Sequence, residues 1–439
     1  MSAIKIKLAA MNFLEFAVWG AYLTSLGIYL AGAGLGDKIY WFYTVQGIVS
    51  IFMPAIIGIV ADRWIQAQRM LSICHLIAGL FMVAAAFYCH QAGDAVQFGP
   101  LFTLYTVSVA FFMPTIGLAN SVAYTALGKA GLDTVKHFPP IRVFGTVGFI
   151  ASMLLTNFLQ IDGTSMQKTY WQLASSGIFS ILLAAYALTM PKCLISKAAS
   201  ASLVDAFGLR AFTLFKQKKM AIFFIFSMLL GVSLQITNGY GTTFINAYES
   251  IAEYANTWGA QNATALISLS QVSETLCILL IPFCLKRFGI KGVMMIAMVG
   301  WVLRFGFFGL GNPGSGVWLF VLSMIVYGVA FDFFNISGSL YVDKQTDPSM
   351  RSSAQGLFML MTNGIGATFG TLAAGQVVNS YVYSQPSPEL QIQGWHTSWY
   401  IFAVYALAVA ILFWLIFHDD EKPTVNVDKA ITEEADPEI

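Results

Sequence analysis

Charge is what this sequence has least of. Asp, Glu, Lys and Arg make up 10% of its 439 residues, where a soluble globular protein carries about a quarter. A water-facing surface of ordinary charge density is therefore excluded. Neither sign is in excess, because the formal net charge is +1. The basic residues are distributed, which argues against a nucleic-acid partner, since neutralising phosphates needs Lys and Arg gathered on one face. Cysteine is scarce and unpatterned: Cys74, Cys89, Cys193, Cys277 and Cys284 show neither CxxC spacing nor a flanking His cluster. Neither a zinc site nor a disulfide framework is indicated, and the five read as apolar packing residues. No nucleophile–base pair, metal-ligand cluster or phosphate loop is present, so the chain reads as no enzyme, with no metal and no cofactor expected.

What the sequence has is apolar and aromatic residues, 57% and 15% of the chain, with 36 Phe. So many cannot all be hidden in a soluble core of this size, and lipid must cover much of the surface. A hydrocarbon layer about 30 Å thick needs roughly 20 apolar residues per helix. Such windows fall near 8–30, 40–61, 70–90, 98–120, 141–160 and 168–190, then near 220–246, 264–285, 292–310, 317–341, 353–380 and 398–417. The first run follows Lys5 and Lys7, is too long for a signal-peptide core and has no clear cleavage site, so it reads as a membrane helix. Residues 1–190 and 220–417 are thus expected to be two six-helix bundles. Between them, 191–219 is a basic linker whose apolar stripe Leu203, Phe207, Phe212 and Phe215 predicts a surface-lying amphipathic helix. The tail 418–439 is acidic and polar and reads as disordered.

Orientation follows from the tendency of cytoplasmic loops to collect Lys and Arg. With the N-terminus inside, 19 of the 23 basic residues fall in cytoplasmic segments, and only Lys38 and Lys168 in outer loops. The remaining two, Arg142 and Arg304, fall within or at the ends of helices. Both termini are expected in the cytoplasm. Two six-helix halves joined by a basic cytoplasmic loop resemble the major facilitator superfamily, whose substrate site lies near the midplane between halves. The loop Gly58-Ile59-Val60-Ala61-Asp62-Arg63 is similar to that superfamily's signature. The resemblance implies a close helix approach at Gly58 and a conformational latch made by Asp62 and Arg63.

Polar groups at membrane depth are the informative ones, since an ionisable side chain at bilayer centre costs roughly 2.5–3.5 kcal/mol on insertion scales and needs a partner or a water-filled cavity. On the fifth window Arg142, Thr146 and Phe149 are spaced i, i+4, i+7 and share one helical face. Gln235 and Asn238 make an amide face on the seventh, and Gln271 and Glu274 repeat the i, i+3 spacing on the eighth. On the tenth, Tyr327 and Phe331 sit one turn apart with Asp332 adjacent. This is the chemistry of a ligand with a flat ring and several hydroxyls: aromatic faces hold the ring while amides and a carboxylate take the hydrogen bonds. A nucleoside fits, and a sugar or glycoside fits nearly as well. The same amides and hydroxyls could serve only as glue between helices. Glu15 and Asp332 are the remaining buried acids, and either could carry a proton; an Arg142–Asp332 pair could be a static salt bridge or one that breaks during transport. His75 and His90, expected near opposite ends of the third helix, read as structural or interfacial.

At these same segments the chain resembles the bacterial nucleoside:proton symporters of the major facilitator superfamily, almost end to end. The stretches that carry the resemblance are Phe138 to Arg142, Gly145 to Phe149, Ala221 to Leu230, Leu234 to Asn238, Ser270 to Leu276, Phe331 to Ser339 and Ser353 to Gly356. It implies an all-α fold of twelve membrane helices in the bacterial inner membrane, working as a monomer. It also implies proton-coupled import of purine and pyrimidine nucleosides by alternating access, with the proton as coupling ion. Arg142, Thr146, Phe149, Gln235, Asn238, Gln271, Glu274, Tyr327 and Phe331 match the family's substrate positions, and Asp332 an aspartate associated with the proton. Glu274 and Glu15 are the other candidates for coupling. Glu15 is a departure, standing where the family carries a neutral glutamine. Sugar transport on the same scaffold, or a receptor that binds without transporting, are the alternatives.

Overall fold

The structure, a computed structural model, describes residues 3–193, 209–347 and 351–418; the side chains of Asp62 and Arg63 also lie outside the described residues. Apart from a hairpin, β1 (Gln160–Ile161) and β2 (Thr164–Ser165), closed by Asp162 and Gly163 at positive φ, the described elements are helical. The first group comprises α1 (Ala3–Gly20), α2 (Leu26–Gly32), α3 (Ile39–Arg63), α4 (Ala67–Ala92), α5 (Phe98–Phe112), α6 (Thr115–Lys129), α7 (Thr134–Phe158) and α8 (Trp171–Ala187). The second comprises α9 (Lys218–Leu234), α10 (Ile236–Ala247), α11 (Ala263–Cys277), α12 (Ile281–Leu310), α13 (Val317–Gln345), α14 (Arg351–Met359), α15 (Ala367–Val378) and α16 (Pro388–Ile416). Nine helical stretches among the described residues are long and apolar enough to cross a membrane.

Several sequence windows are interrupted, each for a local reason. Pro114 follows α5 and cannot donate a backbone hydrogen bond, so α5 and α6 separate there. The stretch from 263 to 310 bends at Gly289, whose φ of 70° is open to glycine at no steric cost. The α9–α10 stretch breaks at Gln235. Two π turns, Leu360–Gly366 and Asn379–Tyr383, flank α15. Large apolar side chains such as Phe52, Phe87, Leu279, Phe283, Phe369 and Trp414 remain exposed, as lipid-facing residues do. In the linker, Leu203 and Phe207 lie outside the described residues, as does the tail from 419. Leu209–Lys216 forms a 3₁₀ turn in which Phe212 and Phe215 stack at 5.9 Å and Phe215 rests on Phe224 of α9.

Within the first group α1 packs on α7 and α8, and α4 on α5 and α8; within the second, α12 packs on α13 and α16, and α11 on α13. The α1–α7 contact is at backbone distance, because a Cβ at Gly148 would collide with the carbonyl of Phe13. The groups meet through α3 with α15, α7 with α11, and α2 with α10. The hydrogen bonds joining them gather at the end carrying the 159–170 and 248–262 segments. Lys168 Nζ donates to Glu249 at 2.6 and 2.8 Å, Asn157 Nδ2 to Asn262 Oδ1 at 2.7 Å, and Gln167 Nε2 to the Gln261 carbonyl at 2.9 Å. Thr44 of α3 and Thr371 of α15 also join the groups, through a bond of 2.7 Å. At the opposite end, a Cβ at Gly58 would meet nothing within 4 Å. The close approach expected at Gly58 is not made by any of the described residues.

Candidate functional site

The packing of α7 on α11 and of α11 on α13 brings three of the four polar faces together. Arg142, on α7, lies with its guanidinium carbon 3.8 Å from the centroid of the Phe16 ring of α1. Gly145 makes room, because a Cβ there would press on both the Phe16 ring and Arg142. A cation on an aromatic face gains about 0.5–2 kcal/mol, rising with desolvation, and Arg142 is half-buried. Arg142 is also in electrostatic reach of two acids, Glu274 of α11 and Glu15 of α1. It makes no ion pair within 4.0 Å with either. The pairing with Asp332 considered from the sequence is not formed. Asp332 is adjacent to Phe331 and so rotated about 100° around α13 from it, and its charged neighbour is Glu274. Asp332 is 6% exposed, and its Oδ2 has no hydrogen-bond partner among the described residues.

Tyr327 and Phe331 form an aromatic platform, their rings stacked at 5.6 Å and 14°. The Tyr327 ring meets Trp301 edge-on at 6.0 Å. Glu274 is carried by α11, which packs on α7, the helix of Arg142, and on α13, the helix of Tyr327 and Asp332. Gln235 and Asn238 bond each other, Asn238 Nδ2 donating to Gln235 Oε1 at 3.0 Å, at the break between α9 and α10. No hydrogen bond among the described residues links this pair to Arg142, Glu274 or Tyr327. A narrow cleft lined by Leu230, Gly231, Leu234, Trp301, Phe331 and Asn335 lies between α9 and the platform. Thr146 is half-buried on the Arg142 face of α7, and Phe149 is buried against the edge of Trp19.

Two buried groups have roles the sequence did not disclose. His75 is not near a helix end: it lies more than two turns inside α4, at 0% exposure, with Nε2 2.7 Å from Glu15 Oε2. Glu15 is 1% exposed and also accepts from Thr115 Oγ1 at 2.6 Å. His90 is at the α4 terminus as expected, bonded to Tyr170 at 2.7 Å. Arg304 is 2% exposed on α12 with no acid beside it; Nη1 donates to the Ser323 carbonyl at 2.8 Å, and its guanidinium carbon lies 4.3 Å from the Tyr327 centroid. The hints available were single polar letters in apolar helices.

A helical membrane protein with two packed groups, interrupted helices and a lining of buried acid, arginine, amide and aromatic side chains between them is a transporter of the major facilitator type. Residues 1–422 match the family described as nucleoside H+ symporter, and the chain belongs to that family. It is 45% identical to the xanthosine permease of Escherichia coli K12 over 96% of this chain and 98% of that protein. It is 42% identical to the nucleoside permease NupG of the same organism over 94% of this chain and 96% of that one. The crystal structure of the nucleoside transporter NupG superposes with a TM-score of 0.85, 42% identity, and coverage of 95% of this chain and all of that one. At 14% identity, a crystal structure of a D-xylose–proton symporter shares the fold with a TM-score of 0.67 over 97% of this chain. These relatives are transporters, not enzymes, and the chain is a multi-pass membrane transporter like them.

Proposed function

We propose that this chain imports purine and pyrimidine nucleosides across the bacterial inner membrane, driven by the inward proton gradient through alternating access. What supports the reading is the stacked Tyr327–Phe331 pair on α13 together with the packing of α11, the helix of Glu274, on both α13 and α7, the helix of Arg142. A nucleoside is a flat heteroaromatic ring joined to a ribose diol. The base stacks on Phe331 and Tyr327, with Phe149 as a further aromatic contact, and the ring heteroatoms and hydroxyls bond Gln271, Glu274, Arg142, Thr146, Gln235 and Asn238. Asp332, Glu274 and Glu15 are the acids available to the coupling proton, and no other cofactor or metal is required.

Twelve traverses follow if the 263–310 stretch is counted as two because of its bend at Gly289, and if α1 with α2, and the 17-residue α8, join the nine long stretches. Residues 1–190 and 220–417 are then the two moving halves, 191–219 a cytoplasmic linker, and both termini cytoplasmic. In this assignment the end joined by Lys168 and Glu249 is periplasmic and closed, which makes the state inward-facing; the Gly58, Asp62 and Arg63 latch would engage when the halves rock the other way. The chain works as a monomer in lipid.

The test is uptake of a nucleoside panel into proteoliposomes with and without an imposed pH gradient. Accumulation of uridine that needs the gradient is expected. Displacement by sugars and not by nucleosides would move the assignment to a glycoside carrier, and binding without flux to a receptor.

A further inference from the structure

The first helix group holds a protonatable centre of its own, built on Glu15 and His75, which are 60 residues apart in sequence. Its hydrogen-bond arithmetic is unusual. Ser180 Oγ lies 2.8 Å from the His75 carbonyl and 2.9 Å from His75 Nδ1. A carbonyl only accepts, so the single hydroxyl proton goes to it, and Oγ then accepts from Nδ1–H. With Nδ1 carrying a proton, the 2.7 Å link from Nε2 to Glu15 Oε2 holds one more, shared between imidazole and carboxylate. Thr115 completes the set, because Oγ1 is 2.6 Å from both Glu15 Oε1 and the Phe112 carbonyl. Its one proton can serve only one of them. With Oε1 bare, the hydroxyl donates to Oε1; with Oε1 protonated, the acid donates to Thr115 Oγ1, whose own proton turns to the Phe112 carbonyl. A second proton is thus accommodated by rotating one hydroxyl, with both Glu15 oxygens hydrogen-bonded in either state.

We propose that Glu15, His75 and Thr115 form a proton-binding site in the first helix group, and that its occupancy controls whether Arg142 is held there or engages Glu274 across the group interface. The proposal rests on the symport reading above. The proton enters from the outer medium, forms an O–H bond at Glu15 Oε1, and leaves to the cytoplasm; no bond between heavy atoms changes. Arg142 lies on the ring of Phe16, the residue after Glu15, in its own group, and its helix α7 packs on α11, which carries Glu274, in the other; neutralising Glu15 removes one of the two attractions on it. The guanidinium then favours Glu274, and the substrate site is completed by residues of both groups. The other titratable groups facing the centre are few. Cys74 of α4 is in range of Glu15, and Tyr124 of α6 stands behind Arg142. The helices α5 and α8 packed on α4 contribute Tyr105 and Tyr186 but neither acid nor base.

The experiment compares gradient-driven uridine uptake with gradient-free uridine counterflow in proteoliposomes of the full chain, across external pH, for the wild type, Glu15→Gln, Glu15→Asp and Thr115→Val. A purely structural role lowers both activities together. The proton site lowers the driven-to-counterflow ratio in Glu15→Gln by roughly tenfold, within the range of coupling between two sites, with Glu15→Asp restoring most of it. Thr115→Val keeps both charges and removes the rotating hydroxyl, so its pH profile shifts even if Glu15→Gln fails to fold. Wild-type ratio and profile in both Glu15→Gln and Thr115→Val, or in Thr115→Val alone where Glu15→Gln does not fold, overturn the proposal. A wild type whose uptake ignores the gradient would instead defeat the symport reading itself.

Discussion

The guanidinium of Arg304 rests 4.3 Å from the centre of the Tyr327 ring, in a site where Arg304 is 2% exposed and has no carboxylate partner among the described residues. A buried cation without a counter-ion is costly. Here the cost is offset by the Tyr327 face, by the Phe308 ring at 5.4 Å, and by the bond from Nη1 to the Ser323 carbonyl. The result fixes Tyr327, and through it the stack on Phe331. Arg304→Leu is therefore expected to raise the KM for uridine about tenfold with a smaller change in maximal rate, given about 1–2 kcal/mol for such contacts. Arg304→Lys keeps the cation and should recover part of the affinity. Kinetics of uptake in proteoliposomes decide it: equal KM values in all three proteins would leave Arg304 as helix glue only.

Glu274 and Arg142 belong to different helix groups, on the packed helices α11 and α7, and form no ion pair within 4.0 Å. Each retains hydrogen-bonding capacity that a bound nucleoside can take up. Hydrogen bonds to charged groups contribute about 1.5–3 kcal/mol, so Glu274→Gln and Arg142→Ala should each cut uridine uptake by roughly tenfold to a hundredfold. Folded protein should remain in the membrane, as judged by size-exclusion of the solubilised variants. Uptake at the wild-type level in both variants would remove these residues from the site.

The contrast between Arg142 and His75 explains how far the sequence could be read. Helix positions were legible because lipid demands long apolar runs, and the faces on α7, α11 and α13 were legible because i, i+3 and i, i+4 spacing places residues together without tertiary knowledge. The partner of Arg142 was not, because it depends on how α7 and α13 are rotated about their axes when packed. His75 looked like an end-of-helix residue, since a window of hydropathy locates a helix to within a turn or two and cannot say that one side chain points at Glu15, 60 positions away. The break at Gln235 and the π turns around α15 leave no compositional mark comparable to Pro114.

Gly148 tests the packing that aims Arg142. A side chain at this position would strike the carbonyl of Phe13 in α1, and backbone cannot move aside as a flexible side chain does. Gly148→Val should cost at least the ~1–3 kcal/mol typical of overpacking and lower the thermal midpoint of the detergent-solubilised protein. Gly117→Val on α6 is the control, as nothing lies within 4 Å of a Cβ there. Equal midpoints for the two variants would mean that α1 and α7 do not approach as described.

Lys168 and Glu249 clamp the two helix groups together at 2.6 Å, with side chains 33% and 24% exposed. An ion pair this accessible to water is worth about 1 kcal/mol or less. That is small for stability but enough to change a two-state population about fivefold. Loss of the pair in Lys168→Ala should therefore favour separation at this end without unfolding the protein. Spin labels at Thr164 and Glu253, both exposed on the segments that the pair joins, report the change as a longer component in the pulsed-EPR distance distribution. The exchanged variant, Lys168→Glu with Glu249→Lys, reverses the charges and should return the distribution to that of the wild type. Raising the salt concentration should mimic Lys168→Ala in part, because exposed charges are screened. A distribution that stays the same in Lys168→Ala would assign the closure to the Asn157–Asn262 and Gln167–Gln261 bonds instead.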